Sequence, residues 1–512
     1  MHVLKDTTVL ILGLGDSGLA MARWCARHGA AVTVWDSRAT PPGLAALRED
    51  LPAVTLLGGE LGADRLQGMQ LVLKSPGLAP HDLRVAPLLQ EARATGIAVL
   101  GELDLFARAL ADLKETQSYT PQILAITGTN GKTTTTAMTA LLVERAGKTV
   151  ATAGNIGPTL LDTLTARLHD LPAPLPEVWV LELSSFQLDG GGIGVRGFEP
   201  SAAAVLNITQ DHLDWHGTMA AYTAAKARIF GAHAVMVINR GDPLVEALVP
   251  EPVLVKGKLK LTARPVLPTV IRFGLDAPRR PGDFGLVEEN GMAWLVRAMP
   301  SDDTFKKKKG EEEDIHLQRL MPADALRVRG RHNAANALAA LALATAIGCT
   351  LAPLLHALRE YAGEPHRLQF VARIDDVEAF DDSKGTNVGA TAAALDGLGA
   401  DKAPGKLIVI LGGDGKGQDF TPLTAPLQRH ARAVATIGKD AAAIEAAVHG
   451  VPVQRFDSLE LAVAWCYAQA RPGDAVLLSP ACASLDMFRN YGHRAEVFVA
   501  AVRAHAADRG QA

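Results

Sequence analysis

Residues 123–136 read ILAITGTNGKTTTT, an apolar run that breaks into two glycines, a lysine and a file of threonines. Backbone amides of such a loop would cradle phosphate oxygens, Lys132 would supply a point charge, and the Thr133 hydroxyl would reach a divalent cation. The common phosphate loop has a glycine, four residues, then Gly-Lys-Ser/Thr; here Ile126 stands where that first glycine belongs. The missing glycine demotes a generic assignment. Strand, Gly-Lys-Thr and helix in that order still make a phosphate site a better reading than a plain turn.

Other groups could share that chemistry. Glu182, in LELSSFQL (181–188), ends an apolar run and suits a Mg²⁺ ligand, although a lone Glu at a strand end is more often a solvated terminus. NITQDHLDWH (207–216) carries Asp211, His212, Asp214 and His216, but the spacing matches no zinc pattern, so one or two ligands are expected and the rest are helix-start residues. Lys226, in AAYTAAKARIF, reads as an ordinary exposed helical lysine. Asn333 and Asn336, in GRHNAANALAA, share a helix face and read either as caps or as adenine or ribose contacts.

Two further groups flank these. GLGDSG (13–18) follows a strand and opens a helix, and Asp36 ends the next strand, the pattern of a dinucleotide-phosphate turn. Ser37 and Arg38 add a hydroxyl and a cation that could hold a second phosphate or a uridine ribose, and Ser75-Pro76-Gly77 ends the third strand on the same edge. Near the C-terminus come His366-Arg367, DDSKGTN (381–387), GGDGKG (412–417) and SPACASLDMF (479–488). The last three each follow an apolar strand, so Arg367, Lys384 and Lys416 make one sheet edge cationic, suited to a carboxylate-bearing substrate.

The elements that must position these groups alternate along the chain. Strands are expected at 8–12, 31–35, 71–74 and 98–100, then at 123–126, 178–183, 203–207 and 234–238, then at 407–411, 434–437 and 475–478. Helices are expected at 133–146 and 333–347. Strands apolar on both faces, alternating with helices, imply parallel sheets covered on each side. The pattern restarts twice, with weak boundaries near Asp112–Pro121 and Ala362–Pro365. A length of 512 residues fits three domains at roughly 150 residues each. The charged stretch SDDTFKKKKGEEED (301–314) reads as a solvated or disordered insertion.

Composition excludes some classes. With 48% hydrophobic and 21% charged residues the chain reads as a globular protein, and a net charge of -4 carries no nucleic-acid footprint. Four scattered cysteines without a CxxC pair argue against disulfides or zinc and for a reducing cytosol. No run approaches the ~18 apolar residues of a membrane span, so a cytoplasmic protein with neither membrane nor nucleic-acid partner is expected.

In this order, the motifs resemble the Mur ligase family, in which GTNGKTT replaces the common phosphate loop; the missing glycine is what the resemblance predicts. DSRATPPG, SPG, GNIG (154–157), ELSSFQL, DHLD, DDSKGTN, GGDGKG and SPACASLDMF are similar to the D-glutamate-adding branch and span Gly13 to Phe488. Two features depart from the pattern: Gly217 follows DHLDWH, and the charged insertion is long.

The resemblance implies an α/β protein of three domains. Residues 1–113 would form a Rossmann-like domain for a UDP-linked substrate. Residues 114–362 would form a P-loop ATPase-like domain for ATP and Mg²⁺. Residues 363–512 would form a Rossmann-like domain that completes the ATP site and binds D-glutamate. The implied activity is ATP-dependent ligation of D-glutamate to UDP-N-acetylmuramoyl-L-alanine through an acyl phosphate, in cytoplasmic peptidoglycan precursor synthesis, by a monomer. By motif position, Lys132, Glu182, His212 and Lys226 would be catalytic. Gly128, Thr129, Asn130, Gly131, Lys132, Thr133, Thr134, Asn333, Asn336, Arg367 and Asp382 would bind ATP. Thr133, Glu182, His212 and a carbamylated Lys226 would serve two Mg²⁺ sites. Gly15, Asp16, Ser17, Asp36, Ser37, Arg38, Ser75, Gly77, Asn155, Ser184 and Gln187 would hold the UDP-substrate. Lys384, Thr386, Lys416, Ser484, Leu485 and Tyr491 would frame D-glutamate.

Overall fold

The first hundred residues form a five-stranded parallel sheet in the order Thr55–Leu57, Ala31–Trp35, Thr8–Leu12, Leu71–Lys74, Ala98–Leu100. The chain moves outward from Thr8–Leu12 in one direction and then in the other. This leaves a crevice between Thr8–Leu12 and Leu71–Lys74 at their C-terminal ends, where open α/β sheets take ligands. Gly18, in the helix Asp16–Arg27 after the crevice, packs so tightly that a Cβ would lie 1.9 Å from the Gly13 carbonyl oxygen. The computed structural model describes residues 4–170, 174–190, 195, 197–250, 253–254, 265–266, 269–301, 314–328 and 330–511. Most of the charged insertion, 302–313, lies outside the described residues.

A second parallel sheet runs Val270–Phe273, Val235–Asn239, Ala202–Val205, Gln122–Thr127, Val178–Glu182, Val150–Gly154. It continues into an antiparallel sheet of Phe284–Glu289, Met292–Pro300 and Ile315–Pro322. The helix Arg331–Ala346 is buried at almost every position from Asn333 to Ala344, and its alanines let it approach the helix Lys132–Arg145, the parallel strands Ala202–Val205, Val235–Asn239 and Val270–Phe273, and the antiparallel strand Phe284–Glu289 together. The third sheet runs Gln369–Ile374, Val377–Asp381, Ala475–Leu478, Leu407–Gly412, Ala431–Ile437, Val453–Arg455, parallel except for its first pair.

The three units are joined unequally. One apolar cluster runs from Val9 and Ile11 of the first sheet to Trp179 and Leu181 of the second. Phe106, on the helix Glu102–Gln117, meets Trp179 edge-on at 5.1 Å, a pairing of about 0.5–1.5 kcal/mol beyond the buried area. Glu102 Oε1 accepts the Leu161 amide across the same seam at 3.0 Å, and burial pushes that carboxyl up to about 7. The clusters of the third sheet draw only on residues 368–506 among those described. Its links to the second unit at the site are polar, which leaves it the freest to move.

Most expected strands appear within a residue or two of the reading. The antiparallel sheet and the strands Thr55–Leu57, Val150–Gly154, Val270–Phe273, Gln369–Ile374 and Val453–Arg455 were not anticipated. The Asn290-Gly291 pair between two of the antiparallel strands was a legible hairpin signal, and both residues take positive φ, 53° and 76°. The helix Glu102–Gln117 runs through residue 113, and the chain turns at Ser118, whose φ is 55°.

Candidate active site

The phosphate loop lies between the central strand Gln122–Thr127 and the helix Lys132–Arg145. Gly131 caps that helix with φ 82°, and a Cβ there would fall 2.5 Å from Asn336 Oδ1, so conformation and space both demand glycine. Lys132 Nζ folds back to donate to the carbonyls of Gly128 and Thr129 at 2.9 and 2.8 Å. Asn207 braces the loop from the neighbouring strand end, accepting from the Asn130 amide at 2.8 Å and donating to its carbonyl at 3.0 Å. Thr129 Oγ1 shares a 3.1 Å hydrogen bond with the Tyr222 hydroxyl. The helix start leaves backbone amides, including those of Thr133 and Thr134, facing the anion position.

Lys226 corrects its local reading: it is not an exposed helical lysine but 2% exposed, held against the underside of this loop. Its Nζ donates to the Gly128 carbonyl at 2.9 Å and lies 4.6 Å from the Tyr222 ring centre. Burial, with Lys132 nearby, drives its ammonium well below the ordinary lysine range. Periodicity misread it because its burial comes from non-local packing of the helix Met219–Ala227, which a local pattern does not carry.

Glu182 ends the neighbouring strand Val178–Glu182. Its Oε1 accepts from Asn155 Nδ2 at 2.9 Å, while its buried Oε2 has no hydrogen-bond partner among the described residues. A buried carboxylate oxygen left open beside a phosphate loop fits a divalent cation. His212 caps the short helix Leu213–His216 with φ 53°, its ring 4.6 Å from Phe186 and its Nε2 3.5 Å from Asp211 Oδ2. Burial lowers its pKa against the pull of Asp211, which favours the neutral, ligating imidazole. His216 hydrogen-bonds Ser185 at 2.9 Å, a structural role. Among the described residues no three His, Cys, Asp or Glu side chains gather to hold a metal.

A cavity of about 280 Å³ opens between the central and third units, lined by Asn130, Thr134, Asn333, Asn336, Arg367 and Asp382. Gly330, not either asparagine, caps the helix Arg331–Ala346; Asn333 and Asn336 lie inside it, buried and joined at 3.1 Å, so the capping reading fails. Arg367 Nη2 donates to Thr133 Oγ1 at 3.1 Å, and Asn387 Nδ2 to Asn130 Oδ1 at 3.0 Å, which brings the third unit onto the phosphate loop. Asp382 accepts the Ser479 hydroxyl at 2.7 Å, and burial pushes its carboxyl up to about 7.

The crevice of the first sheet holds a second cavity of about 490 Å³. Gly15, Asp16 and Ser17 line one side, Asp36, Ser37 and Arg38 another, Ser75 and Gly77 a third. Asp36 decides what the crevice is for. Its Oδ2 accepts the Leu14 amide and Arg38 Nη2, each at 2.7 Å, and its Oδ1 accepts the Arg38 amide and Nε, each at 2.9 Å. A dinucleotide site offers this carboxylate to a ribose; here it is spent on its own loop and aims Arg38 at the cavity. Arg84 joins it, donating to Ser37 Oγ at 2.9 Å and lining the same space.

Burial pushes the Asp36 carboxyl up, but the hydrogen bonds from Arg38 and Leu14 outweigh it and hold it at about 2, below its ordinary 3.8. Its contribution to stability is therefore complete above about pH 4 and is lost as pH falls through 2. Asp36→Asn should cost about 1–2 kcal/mol of unfolding free energy at pH 7, after allowance for the half-exposed Arg38, with a smaller difference near pH 2. Denaturant unfolding of both proteins at the two pH values checks this; equal differences would overturn it.

In the third unit, Lys384 Nζ lies 5.4 Å from the Tyr491 ring centre. Burial lowers the Lys384 ammonium, with Arg367 adding to the effect and Glu182 opposing it. Lys416, with φ 51°, stands on a loop held by Asp440, which accepts the Gly415 amide at 2.7 Å; its charge reaches His212. Ser484 is buried and Thr386 half-buried, whereas Leu485 is 74% exposed. Ser184 and Gln187 satisfy one another as a capping box on the helix Ser185–Asp189, and Asn155 is engaged by Glu182.

Comparison with known proteins agrees with these three units. "Mur ligase MurD-like, N-terminal domain" matches residues 7–101, "Mur ligase middle domain" residues 126–256, and "Mur ligase, glutamate ligase domain" residues 366–482. This chain belongs to the Mur ligase family. It is 62% identical over 506 residues to a UDP-N-acetylmuramoylalanine–D-glutamate ligase of Albidiferax ferrireducens, covering 98% of this chain and 97% of that one. It is 56% identical over 513 residues to the protein of the same name from Burkholderia multivorans, covering 98% of each. Among solved structures, the MurF ligase of Thermotoga maritima in complex with ADP shares the fold, with a TM-score of 0.57 at 17% identity over 98% of this chain and 96% of that one.

Three residues of this Mur ligase's site were not singled out by sequence. Arg84 lies nine residues beyond Ser75, with nothing local to mark it. Asn387 was visible as the last residue of DDSKGTN but pointed to the third unit rather than to the loop it contacts. His332 adjoins Asn333, lines the same cavity, and keeps a buried Nδ1 without a partner among the described residues; burial holds it near 4.

Proposed function

We propose that this Mur ligase adds D-glutamate to UDP-N-acetylmuramoyl-L-alanine with ATP, in peptidoglycan precursor synthesis. The observation that carries this reading is the meeting of three parts. The phosphate loop with Lys132 folded over it, the open oxygen of Glu182 and Arg367 of the third unit, which donates to Thr133, support it together. The relatives that bear the corresponding name support the choice of substrates.

Residues 1–113 take the UDP-linked substrate, 114–362 the ATP, and 363–512 the amino acid. Arg38, paired with Asp36, and Arg84, paired with Asp82, offer the first cavity guanidinium N–H groups suited to a diphosphate. Lys132 and the loop amides at Gly131–Thr134 hold the ATP phosphates, and Asn333, Asn336, Arg367 and Asp382 line the nucleotide cavity. Thr133, Glu182 through Oε2, His212 and a carbamylated Lys226 would hold two Mg²⁺ ions, whose contribution is to neutralise phosphate charge. The alanyl carboxylate attacks the γ-phosphate and ADP leaves. The amine of D-glutamate then attacks the acyl carbon, loses a proton, and phosphate departs. Lys384 and Lys416 hold the carboxylates of D-glutamate so that its amine faces the acyl phosphate, with Thr386, Ser484, Leu485 and Tyr491 framing it.

The enzyme works as a cytoplasmic monomer in this reading. A net charge of -4 supports the absence of a nucleic-acid partner, and among the described residues no helix is long and apolar enough to cross a membrane. The test is phosphate release from ATP with UDP-N-acetylmuramoyl-L-alanine and, in parallel, D-glutamate, L-glutamate or meso-diaminopimelate. Release with D-glutamate only is expected. Release with another amino acid would overturn the assignment of the third unit, and silence with all three would overturn the substrate.

A further inference from the structure

We propose that Arg494 is a positioning residue for the amino-acid acceptor, locking the loop that carries Lys384 to the loop that carries Ser484. The proposal rests on the reading that the third unit binds this acceptor. Arg494 stands in the first turn of the helix Tyr491–Asp508 and is wholly buried. Its Nε donates to Ser383 Oγ at 3.0 Å and its Nη2 to the Ser383 carbonyl at 2.8 Å. Nη1 and Nη2 both reach the Cys482 carbonyl at 3.1 Å. Ser383 Oγ passes the link on by donating to the Tyr491 carbonyl at 2.8 Å. Lys384 follows Ser383 directly, and Ser484 lies two residues past Cys482. One side chain thus ties the segment 482–494 to Ser383, about a hundred residues earlier in the chain.

Every hydrogen-bond acceptor of this guanidinium is neutral, and among the described residues it has no ion pair. The nearby carboxylates are engaged elsewhere: Asp381 with the His366 ring at 2.7 Å, Asp382 with Ser479, and Asp486 with the Lys439 amide at 2.9 Å. Burial lowers the Arg494 pKa to about 10, so the cation persists at neutral pH. A buried charge without a counter-ion is costly, and an apolar side chain would fill the space at less expense. What the arginine supplies instead is a rigid planar fork that fixes several acceptors at once, which a lysine does not reproduce.

Steady-state kinetics of Arg494→Met, Arg494→Lys and Ser383→Ala test this, with each substrate varied in turn and the melting temperature recorded. Both arginine variants should raise KM for the acceptor by about 10- to 100-fold, the size expected when a hydrogen bond to a charged group of the acceptor is lost as the two loops loosen. KM for ATP and for the UDP-substrate should stay within about twofold in the same variants. The lysine variant should resemble the methionine variant, since the fork and not the charge is at issue. Ser383→Ala, which keeps the cation but cuts the link to Tyr491, should raise the same KM by a smaller factor. If the arginine variants do not fold, Ser383→Ala alone decides. A fall in kcat with acceptor KM unchanged, or a common rise of all three KM values, would overturn the proposal. If the wild-type enzyme uses an amino acid other than D-glutamate, a KM rise for that amino acid upholds Arg494 while the D-glutamate reading falls.

Discussion

Lys132→Ala is expected to lower phosphate release by about 1,000-fold or more while binding of the UDP-substrate stays within about twofold of wild type. Removing one preorganised electrostatic contact to a developing charge typically costs 100- to 1,000-fold. Lys132 is also the cation whose Nζ spans the loop, donating to the Gly128 and Thr129 carbonyls. Alanine therefore removes both the charge and the brace. The first-sheet cavity proposed for the UDP-substrate is lined by Asp36, Arg38 and Arg84, among others, and shares no residue with the loop. Isothermal titration of the UDP-substrate, beside a phosphate-release assay, separates the two effects. A kcat comparable to wild type would sink the ATP assignment, and lost UDP-substrate binding would show that the two sites are not independent.

Lys226→Met is expected to lower kcat by at least about 100-fold, on the same electrostatic argument, with a melting temperature near or above wild type. The physical reason is that burial, with Lys132 nearby, disfavours the charged form of this amine. In the proposed carbamylation a neutral amine would attack CO₂, form an N–C bond and release one proton, leaving an anionic carbamate beside the phosphate loop. Wild-type activity should therefore fall in CO₂-depleted buffer and return with bicarbonate, while the residual activity of the methionine variant ignores both. As pH drops, protonation of the amine withdraws it from this reaction, so the bicarbonate requirement should grow in acid. Methionine removes a buried ionisable group without leaving a cavity, which is why stability should hold. Activity independent of CO₂ at every pH would refute the carbamate.

Much of this site could be read from local signals. GTNGKTT, DDSKGTN, GGDGKG and SPACASLDMF each sit where an apolar run stops, and the structure puts each run on a strand with its polar residues at the C-terminal end. That rule is topological: in a parallel sheet every such end emerges on one side, so order along the chain carries over into proximity in space. Strand alternation likewise announced three α/β units, because strands apolar on both faces need cover on both.

Other features follow from contacts between distant segments and leave no trace in spacing. Lys226 looked exposed by periodicity and is buried under the loop. Asn333 and Asn336 looked like caps and line a cavity instead, because the helix begins at Arg331 behind Gly330. The Gly13–Gly18 and Asp36 motif taken alone pointed first to a dinucleotide, and the structure shows Arg38 folded back on the Asp36 carboxylate. Arg494 drew no notice at all, since its role exists only once Ser383 and Cys482, 99 residues apart, meet around it. Sequence order was enough for the kinds of residue and the sheet edge they occupy, since backbone geometry sets both locally. Charge state, burial and partner choice waited on packing, because they depend on what the rest of the chain brings within a few ångströms.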